Sequence, residues 1–322
     1  MAAVSDSPVW RVLELRYLRA GDLNPLLDEE IQVWAEDLDW DFRGSAGLVR
    51  RFLEMQALNG FALLMNGYPV GYCYFVTEEH KGLIGDLYVM KDFVSAENEE
   101  RLLHAVVDHL VKTAFIHRIE SQIMMLRFGP ALRLPQQRYL HVHPRNFMQL
   151  DMAAVQRLPE GRPTRTVWFD RWSERKQDEA ASMIAVAYQG HIDSEINDQY
   201  RSPAGARRFL MNIIQFPGCG SFFQPASYVA TDPDNGKLCG ICLTSLVQAD
   251  VGHITQVCVT KTVRGTGVGY ELIRRSLESL ARHGCREVSL TVTANNAEAI
   301  ALYERMGFRK TRSFAAYVWD RF

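Results

Sequence analysis

Hydrophobic positions in the second half of the chain alternate between helical and strand spacing. Apolar residues recur at helical spacing over residues 174–189 and 267–282, and a glycine follows each stretch at Gly190 and Gly284. Apolar and β-branched runs predict strands at residues 166–170, 227–231, 238–247, 253–260 and 287–293. Two further helices and a last extended segment are predicted at residues 203–214, 296–306 and 309–320. This order predicts a mixed sheet flanked by helices.

The first half of the chain shows a fainter version of the same order. Helices are predicted at residues 22–38, 48–58 and 97–115, and strands at 60–66, 70–76, 83–89 and 119–127. Two prolines and a glycine interrupt the apolar pattern between the halves, at residues 157–164. We therefore predict an α/β protein with two tandem domains, at 1–156 and 164–322, each with a mixed, mostly antiparallel sheet flanked by helices.

Composition and charge limit the partners and the location that can be expected for this chain. Of the 322 residues, 47% are hydrophobic and 23% charged, and the formal net charge of −2 gives no reason to expect a nucleic-acid partner. No apolar stretch is long enough to predict a membrane span. Residues 1–8 have neither the basic nor the apolar part of a secretory signal, so a cytoplasmic location is expected. The sequence leaves the oligomeric state open.

The cysteines do not predict a metal site. Cys239 and Cys242 form a Cys-x-x-Cys pair, but the pair lies inside a predicted strand and no second such pair occurs in the sequence. We expect these side chains to pack as small hydrophobic groups, and no metal is predicted.

One glycine-rich loop lies between a predicted strand and a predicted helix. It consists of Arg264, Gly265, Thr266, Gly267, Val268 and Gly269. The first N–H groups of a helix have no partner within the helix, and glycine lets phosphate oxygens approach them closely. We expect Arg264 to add positive charge beside this anion cradle. The spacing differs from the Gly-x-Gly-x-x-Gly dinucleotide fingerprint, and no Gly-Lys-Ser/Thr comes after it as in a P-loop. The loop therefore predicts a pyrophosphate site.

Two motifs in the second half resemble those of the GNAT acyltransferases. Arg264-x-x-Gly267-x-Gly269 resembles the family's (Gln/Arg)-x-x-Gly-x-(Gly/Ala) signature. Residues 293–308, Thr-Ala-Asn-Asn-Ala-Glu-Ala-Ile-Ala-Leu-Tyr-Glu-Arg-Met-Gly-Phe, are similar to its Asn-x-x-Ala-x-x-Leu-Tyr-x-x-x-Gly-Phe segment. The resemblance covers residues 164–322. It implies an acyl-CoA co-substrate, acetyl-CoA in the first place, which is attacked directly by an amine through a tetrahedral intermediate.

The resemblance also implies roles for individual residues. The main chain of Val257, Cys258 and Val259 would bind the pantetheine arm, and N–H groups of that strand would stabilise the oxyanion. Asn296 would contact the same arm, although a helix N-cap is its structural alternative. Tyr303 matches the family's general acid, and its structural alternative is simple packing.

The general base departs from the usual pattern of the family. Many members carry a glutamate early in the fourth strand, and His253 occupies that position here. An imidazole with a pKa near its ordinary value of about 6.5 would suit the role. The alternative is a hydrogen-bonded core histidine. Gln256 lies nearby and would position a substrate or a water molecule.

The predicted connection between the first two helices of the second half carries candidate substrate contacts. Residues 188–200 combine aromatic, acidic and imidazole side chains, and His191, Asp193 and Tyr200 are the candidates. An acidic loop suits a cationic amine. The alternative is a solvated connection between two helices.

The first half lacks the glycine-rich loop. At the corresponding place lie Glu97, Glu99 and Glu100, whose charges oppose an anion. We therefore expect residues 1–156 to be a degenerate GNAT-like domain that does not bind acyl-CoA. The leading interpretation of the whole chain is an N-acyltransferase acting on a small-molecule amine. A protein or peptide amine as acceptor, and a non-catalytic acyl-CoA sensor, are the alternatives.

Overall fold

The structure, a computed structural model, describes residues 8–216 and 218–322. Residues 1–7, on which the expectation about a secretory signal rests, lie outside this part. The α-helices of the described chain are α1 (Asn24–Leu38), α2 (Arg43–Glu54), α3 (Ala96–Val111), α4 (Gln177–Ala187), α5 (Asp193–Ile196), α6 (Pro203–Gln215), α7 (Val268–His283) and α8 (Ala297–Arg305). None of the helices in these residues is both long and apolar enough to cross a membrane.

The strands are distributed along the whole described chain. They are β1 (Trp10–Glu14), β2 (Asn59–Met65), β3 (Tyr68–Glu78), β4 (Lys81–Val89), β5 (Arg118–Gln122), β6 (Leu140–Asp151), β7 (Trp168–Arg171), β8 (Ser221–Phe222), β9 (Tyr228–Thr231), β10 (Leu238–Gln248), β11 (Val251–Val259), β12 (Glu287–Thr293) and β13 (Arg309–Asp320). β1 and β6 lie where the sequence pattern predicts no element, and β5 ends five residues before the predicted strand does.

The described chain forms two compact units. Unit 1 contains the described residues up to Asp37, together with 42–143 and 314–322, whereas unit 2 contains 38–41 and 144–313. This division differs from the predicted domains, 1–156 and 164–322, because each unit takes a strand from the other half of the sequence. Arg145–Asp151 of β6 pair with β12, and Ala316–Asp320 of β13 pair with β5.

Unit 1 is built on one sheet with the strand order β1-β2-β3-β4-β5-β13. All neighbours are antiparallel except β4 and β5, which pair in parallel. Helix α3 covers the sheet with an apolar stripe that includes Leu102, Leu103, Val106 and Leu110, all fully buried. Leu102 and Leu103 are four and three residues before Val106, and Leu110 is four residues after it, so these side chains lie on one face of the helix.

Unit 2 has a sheet of the same kind, in the order β6-β12-β11-β10-β9-β7, with β8 beside β10. Again all neighbours are antiparallel except one parallel pair, β11 and β12. Helices α7 and α8 pack on one face around Leu272, Leu277 and Tyr303, and α4 and α6 pack around Ile184 and Leu210. The expectation of mixed, mostly antiparallel sheets flanked by helices is confirmed.

The two units repeat one another at the level of strand register. The parallel pairing runs from Lys81↔Arg118 to Ile84↔Ser121 in unit 1 and from Val251↔Glu287 to Ile254↔Leu290 in unit 2. The antiparallel pairings β3–β4 and β10–β11 also share a register shift at the matching place, next to Asp86 in unit 1 and Gln256 in unit 2. This agreement makes Asp86 the counterpart of Gln256, and it supports the interpretation that both halves share one plan.

Candidate active site

Strands β11 and β12 part after their first four paired residues. Their parallel pairing ends at Ile254↔Leu290. Beyond that point β11 stays paired with β10, as in Ile241↔Cys258, and β12 stays paired with β6 through Thr293↔Arg145. The far half of β11 therefore has no strand partner on the β12 side. Main-chain N–H and C=O groups require polar partners, so this slot between the strands suits an extended ligand that carries amides.

A β-bulge lies where the slot opens. Ile254 pairs with Thr244 and Gln256 with Leu243, so that Thr255 is the extra residue of β11. The Thr255 hydroxyl donates a hydrogen bond to the Leu243 carbonyl at 3.0 Å. An extra residue increases the local twist and changes the direction of the strand. The bulge therefore helps to turn β11 away from β12.

Two glycines shape the loop after β11. Gly265 and Gly267 have φ angles of +74° and +87°, in the left-handed region that glycine adopts without strain. Gly267 is the N-cap of α7 and offers no side chain to accept the first N–H groups of the helix. Space is open where a Cβ would project from Gly265. These are the features that the predicted pyrophosphate site at Gly265–Gly269 requires.

Arg264, which is expected to add positive charge beside the cradle, makes a hydrogen bond to the end of a helix. The residue is exposed, but its Nη2 donates a hydrogen bond to the Ala187 carbonyl at 2.8 Å. Ala187 is the last residue of α4, where helix carbonyls lack internal partners and the helix dipole is negative. The guanidinium therefore joins the loop to the end of α4.

The side chains at the open end of β11 alternate between two cores. Val257 and Val259 pack with the core around α7, and Cys258 packs with the core around α4 and α6. Their side chains are thus engaged, and the main chain remains available along the slot. Burial raises the pKa of the Cys258 thiol to about 12, so this cysteine is not a thiolate at neutral pH.

Tyr303 lies in α8, and its ring is buried with 6% of its surface exposed. The ring packs edge to face against Phe308, with centroids 5.9 Å apart. Among the described residues no hydrogen bond involves its hydroxyl, and the hydroxyl oxygen itself is not fully buried. Burial raises the pKa of the phenol. Tyr303 is therefore a protonated donor with an unused hydrogen-bonding group.

Asn296 has the structural role that was the alternative for it. Its side chain caps α8 by accepting a hydrogen bond from the Ala299 N–H at 3.2 Å. Its amide nitrogen also lies 3.4 Å from His191 Nε2. The cap thus brings His191 to the N-terminal end of α8, and the predicted pantetheine contact of Asn296 remains untested.

Gln256 is held by two tyrosines. Its amide donates to the Tyr188 hydroxyl at 2.9 Å and accepts from the Tyr200 hydroxyl at 3.3 Å. The rings of Tyr188 and Tyr200 stack with centroids 4.3 Å apart, and His191 packs edge-on against Tyr188. The structure thus brings together Gln256, Tyr200 and His191, and Asp193 lies 3.6 Å from His191. The buried amide of Gln256 is already engaged at both ends, which suits positioning better than contact with a substrate.

Asp193 is the fourth predicted contact, and it binds residues that the sequence pattern did not identify. Its carboxylate accepts a hydrogen bond from the Thr293 hydroxyl and lies 3.6 Å from Arg145 Nη1. Arg145 also donates to the hydroxyls of Thr291 and Thr293, at 3.2 and 3.1 Å. The sequence gives no signal for Arg145, which stands between Pro144 and Asn146 in a stretch where no strand is predicted.

His253 lies deeper in unit 2 than its predicted role requires. Its ring packs against Trp40 and Phe147, with centroids 5.0 and 6.5 Å away, and its Nδ1 lies 2.9 Å from the Ser289 hydroxyl. Burial lowers the pKa of the imidazole to about 4. His253 is therefore neutral at physiological pH but a weaker base than the expected pKa near 6.5 implies. This geometry favours the alternative of a hydrogen-bonded core histidine.

Unit 1 has no comparable glycine loop in the described residues. Its helix α3 begins at the N-cap Ser95, whose hydroxyl accepts a hydrogen bond from the Asn98 N–H at 3.2 Å. Glu99 is buried and accepts hydrogen bonds from the Arg127 and Phe128 N–H groups, at 2.8 and 3.1 Å. These contacts hold the connection after β5 against α3. The first turn of α3 is thus partly occupied by groups of its own chain.

The counterpart of Gln256 in unit 1 is an acid. Asp86 faces Glu30, which is fully buried and accepts hydrogen bonds from Tyr72 and Trp34 at 2.8 and 3.2 Å. Burial raises the pKa of Asp86 to about 6 and that of Glu30 well above its usual range. The polar contacts at this position therefore differ entirely between the two units.

The described residues contain no group of three or more histidine, cysteine, aspartate or glutamate side chains placed to hold a metal ion. Cys239 and Cys242 are both buried, and burial raises the pKa of each thiol, to about 11 and about 12. Both cysteines pack in the core around α7, as expected of small hydrophobic side chains.

The fold and the loop define an acetyltransferase of the GNAT type. The Acetyltransferase (GNAT) family matches residues 191–308. N-alpha-acetyltransferase 30 of Dictyostelium discoideum is 31% identical over 144 residues, which cover 41% of this chain and 71% of that protein. The chain therefore belongs to the GNAT acetyltransferase family.

Other relatives match over shorter stretches. N-alpha-acetyltransferase MAK3 of Arabidopsis thaliana is 36% identical over 66 residues, covering 20% of this chain and 35% of that protein. Mycothiol acetyltransferase of Corynebacterium glutamicum (strain R) is 32% identical over 84 residues, covering 26% of this chain and 29% of that protein. This chain thus spans about a third of the length of these two relatives.

Solved structures show the same fold over both units. A GCN5-related N-acetyltransferase from Sphaerobacter thermophilus superposes with a TM-score of 0.67 at 17% identity, covering 97% of this chain and 95% of that one. A tandem GNAT protein from the clavulanic acid biosynthesis pathway gives a TM-score of 0.58 at 15% identity, covering 98% of this chain and 99% of that one. The predicted tandem GNAT fold is confirmed.

The low pKa of His253 predicts an acid-sensitive stability. The folded state holds the imidazole neutral down to about pH 4, whereas the unfolded chain protonates it near pH 6.5. Stability should therefore be fully present above pH 6.5 and decrease as the pH falls from 6.5 to 4, by on the order of 3 kcal/mol. His253→Asn should remove this contribution, as measured by thermal unfolding at pH 4.5, 5.5 and 7. His283→Asn, at the exposed end of α7, is the control. Equal acid sensitivity in wild type and His253→Asn would contradict the assignment.

Proposed function

We propose that this chain transfers an acetyl group from acetyl-CoA to a primary amine of a small molecule. The observation that carries the proposal is the combination, within unit 2, of a slot beside β11 with a glycine loop at the end of that strand. The Tyr303 hydroxyl, which has no hydrogen-bond partner among the described residues, lies in the same core as Val257 and Val259. Membership of the GNAT acetyltransferase family supports this assignment of chemistry.

The residues along the slot fit the shape and chemistry of acetyl-CoA. Its pantetheine arm is extended and carries two amides, which match the main-chain groups of Val257, Cys258 and Val259 that have no strand partner on the β12 side. Its pyrophosphate matches the N–H groups from Gly265 to Gly269, where Gly267 leaves the helix without a side-chain cap. A bound acetyl-CoA would supply the activated acetyl thioester.

The chain's own groups then have distinct tasks. N–H groups of β11 that face the slot are fixed by the pairing of that strand with β10, so they would stabilise negative charge on the acyl oxygen without rearrangement. Tyr303 holds a proton at neutral pH because burial raises the pKa of its phenol, and this proton can pass to the departing thiolate. The proton that the amine nitrogen loses as the amide forms then restores the phenol.

The acetyl group would pass directly to the amine. The cysteine at the slot, Cys258, stays a thiol because burial raises its pKa to about 12, which disfavours an acyl-enzyme intermediate. His253 is also a weak base with a pKa of about 4. We therefore expect the amine to react as a free base, so that the rate depends on the ammonium pKa of the acceptor itself.

The acceptor would enter beside residues 188–200. Asp193 offers a carboxylate to a cationic amine, and it is held in place by Thr293 and Arg145. His191 Nδ1 lies 3.6 Å from the Asp193 carboxylate, and His191 Nε2 lies 3.4 Å from the Asn296 side-chain nitrogen. The bonds from Tyr200 to Gln256 and from Asp193 to Thr293 tie the segment to β11 and β12. A segment held at two points supports the choice of a small acceptor over an extended one.

A polypeptide α-amine is the second candidate acceptor. It is favoured by the similarity to N-alpha-acetyltransferase 30, of which this chain covers 71%.

Release of free CoA with a panel of small primary amines and a matched panel of peptides with free N-termini separates the two candidate acceptors. We expect turnover with a subset of small amines and at least tenfold lower kcat/KM with peptides, a difference of about 1.4 kcal/mol in transition-state binding. A preference for peptides would contradict the small-molecule assignment, and acetyl-CoA binding without turnover on either panel would favour a sensor.

Gly267→Asp should abolish acetyl-CoA binding. The φ angle of +87° disfavours a side chain there, and the carboxylate would place negative charge at the N-terminus of α7, where the pyrophosphate is expected. Gly236→Asp is the matched control, because Gly236 also has a left-handed φ of +68° but lies in the β9–β10 turn. Wild type and the control should show a thermal shift with acetyl-CoA, and Gly267→Asp should show none. A normal shift in Gly267→Asp would remove the pyrophosphate assignment.

Tyr303→Phe should lower kcat by roughly 100-fold, the smaller end of what a positioned acid contributes. Stability should change little, because the hydroxyl has no hydrogen-bond partner among the described residues. Tyr228→Phe is the control: this hydroxyl lies 2.8 Å from the Ser279 hydroxyl in the core of the same unit. Its loss should lower the melting temperature and leave kcat unchanged. Full turnover by Tyr303→Phe across the pH range would exclude the acid role.

A further inference from the structure

The hydrogen bond from Arg264 to Ala187 connects two parts of unit 2 that are 77 residues apart in sequence. Arg264 stands directly before Gly265, the first left-handed residue of the glycine loop. Ala187 stands directly before Tyr188, which begins the segment 188–200. The bond thus runs from the loop proposed to hold the pyrophosphate to the segment proposed to hold the acceptor.

Tyr188 connects Ala187 to the rest of residues 188–200, the acceptor segment. Its hydroxyl accepts from the Gln256 amide at 2.9 Å, and its ring stacks on Tyr200 and lies edge-on to His191. A shift of the Ala187 carbonyl would therefore move the first residue of a chain of contacts that ends at the candidate acceptor side chains. A second anchor of the segment is Asp193, bound to Thr293 on β12.

We infer that Arg264 is a positioning residue that couples occupancy of the glycine loop to the geometry of residues 188–200. This inference rests on the proposed function, because it takes acetyl-CoA as the ligand of the loop. An anion held by the N–H groups of Gly265–Gly269 fixes the main chain beside Arg264. The guanidinium then holds the Ala187 carbonyl, and with it the acceptor segment, in one position.

The geometry favours this role over that of a phosphate ligand. A free arginine beside the loop would be expected to point at the N-terminus of α7, whereas Nη2 of Arg264 is committed to a carbonyl at the C-terminal end of α4. An arginine at that end of a helix interacts favourably with the helix dipole. Because binding free energies are reciprocal, an acceptor that orders residues 188–200 should also tighten acetyl-CoA binding, by the same factor.

The test is hydrogen–deuterium exchange of residues 186–200 in the full-length chain, with and without acetyl-CoA, alongside calorimetric titration of acetyl-CoA. In the wild type, acetyl-CoA should slow exchange in this segment. Arg264→Met keeps an unbranched, flexible side chain but removes the charge and the hydrogen-bond donors. It should exchange roughly fivefold faster without ligand and lose the response to acetyl-CoA, since a bond of this kind contributes modestly to local stability. Its Kd for acetyl-CoA should stay within about threefold of wild type, because the N–H cradle is intact.

Two further variants sharpen the comparison. Arg264→Lys retains one donor and should restore part of the response. Arg162→Met removes an arginine beside Gly267, and it should leave exchange of residues 186–200 unchanged. If Arg264→Met instead weakens acetyl-CoA binding tenfold or more in a salt-dependent way and leaves residues 186–200 unaffected, Arg264 is a phosphate ligand and the coupling is wrong.

The outcomes for the wild type separate this inference from the proposed function. If acetyl-CoA does not bind, the proposed function fails. If it binds without changing exchange in residues 186–200, the coupling alone fails.

Discussion

The parting of β11 and β12 is the constraint on which the rest of unit 2 depends. A parallel pair that ends at Ile254↔Leu290 leaves the main chain of the next residues of β11 without a strand partner on one side. Such groups have to be satisfied by water or by a ligand. The strands can diverge because each keeps its outer neighbour, β10 or β6, and because the bulge at Thr255 turns β11. The glycine loop, α8 and residues 188–200 are all arranged around that opening.

The same strand geometry has a different outcome in unit 1. There too the parallel pair ends after four residues, at Ile84↔Ser121, and the register shift occurs at the matching place. The difference lies in the loop and helix after each strand. In unit 2 two left-handed glycines lead to an uncapped helix, whereas in unit 1 Ser95 caps the helix with its own hydroxyl and Glu99 holds a neighbouring connection. Shared topology therefore gives both units the same parting of strands, and a few local residues make the loop and helix that follow it differ.

Features encoded by short stretches of sequence could be predicted. The loop at Gly265–Gly269, the helix after it and the segment around Tyr303 are local patterns, and the structure has α7 after the loop and α8 around Tyr303. Residues 188–200 are conspicuous in the sequence for their acidic, aromatic and imidazole side chains, and the structure brings Tyr188, His191 and Tyr200 into contact. Their role as acceptor contacts stays a prediction. The approximate positions of most strands could be predicted from runs of apolar and β-branched residues.

Features that depend on distant partners could not be predicted. Arg145 reaches Asp193 and Thr293 only because β6 pairs with β12, a strand far away in the sequence. The pKa of His253 is lowered by burial beneath Trp40, which comes from a short segment of the first half. The hydrogen bond of Arg264 likewise depends on where α4 ends. In each case the residue type was visible in the sequence, but its surroundings were not.

The exchange of strands between the two halves of the sequence has an evolutionary consequence. A deletion that removed the first half up to the linker would take with it residues 145–151, which form the outer neighbour of β12. A deletion that removed the second half would take residues 316–320 from beside β5. Neither half can be lost from the gene without opening the sheet of the other. Loss of either half would deprive the other of a strand, which is a physical reason for the two halves to be retained together.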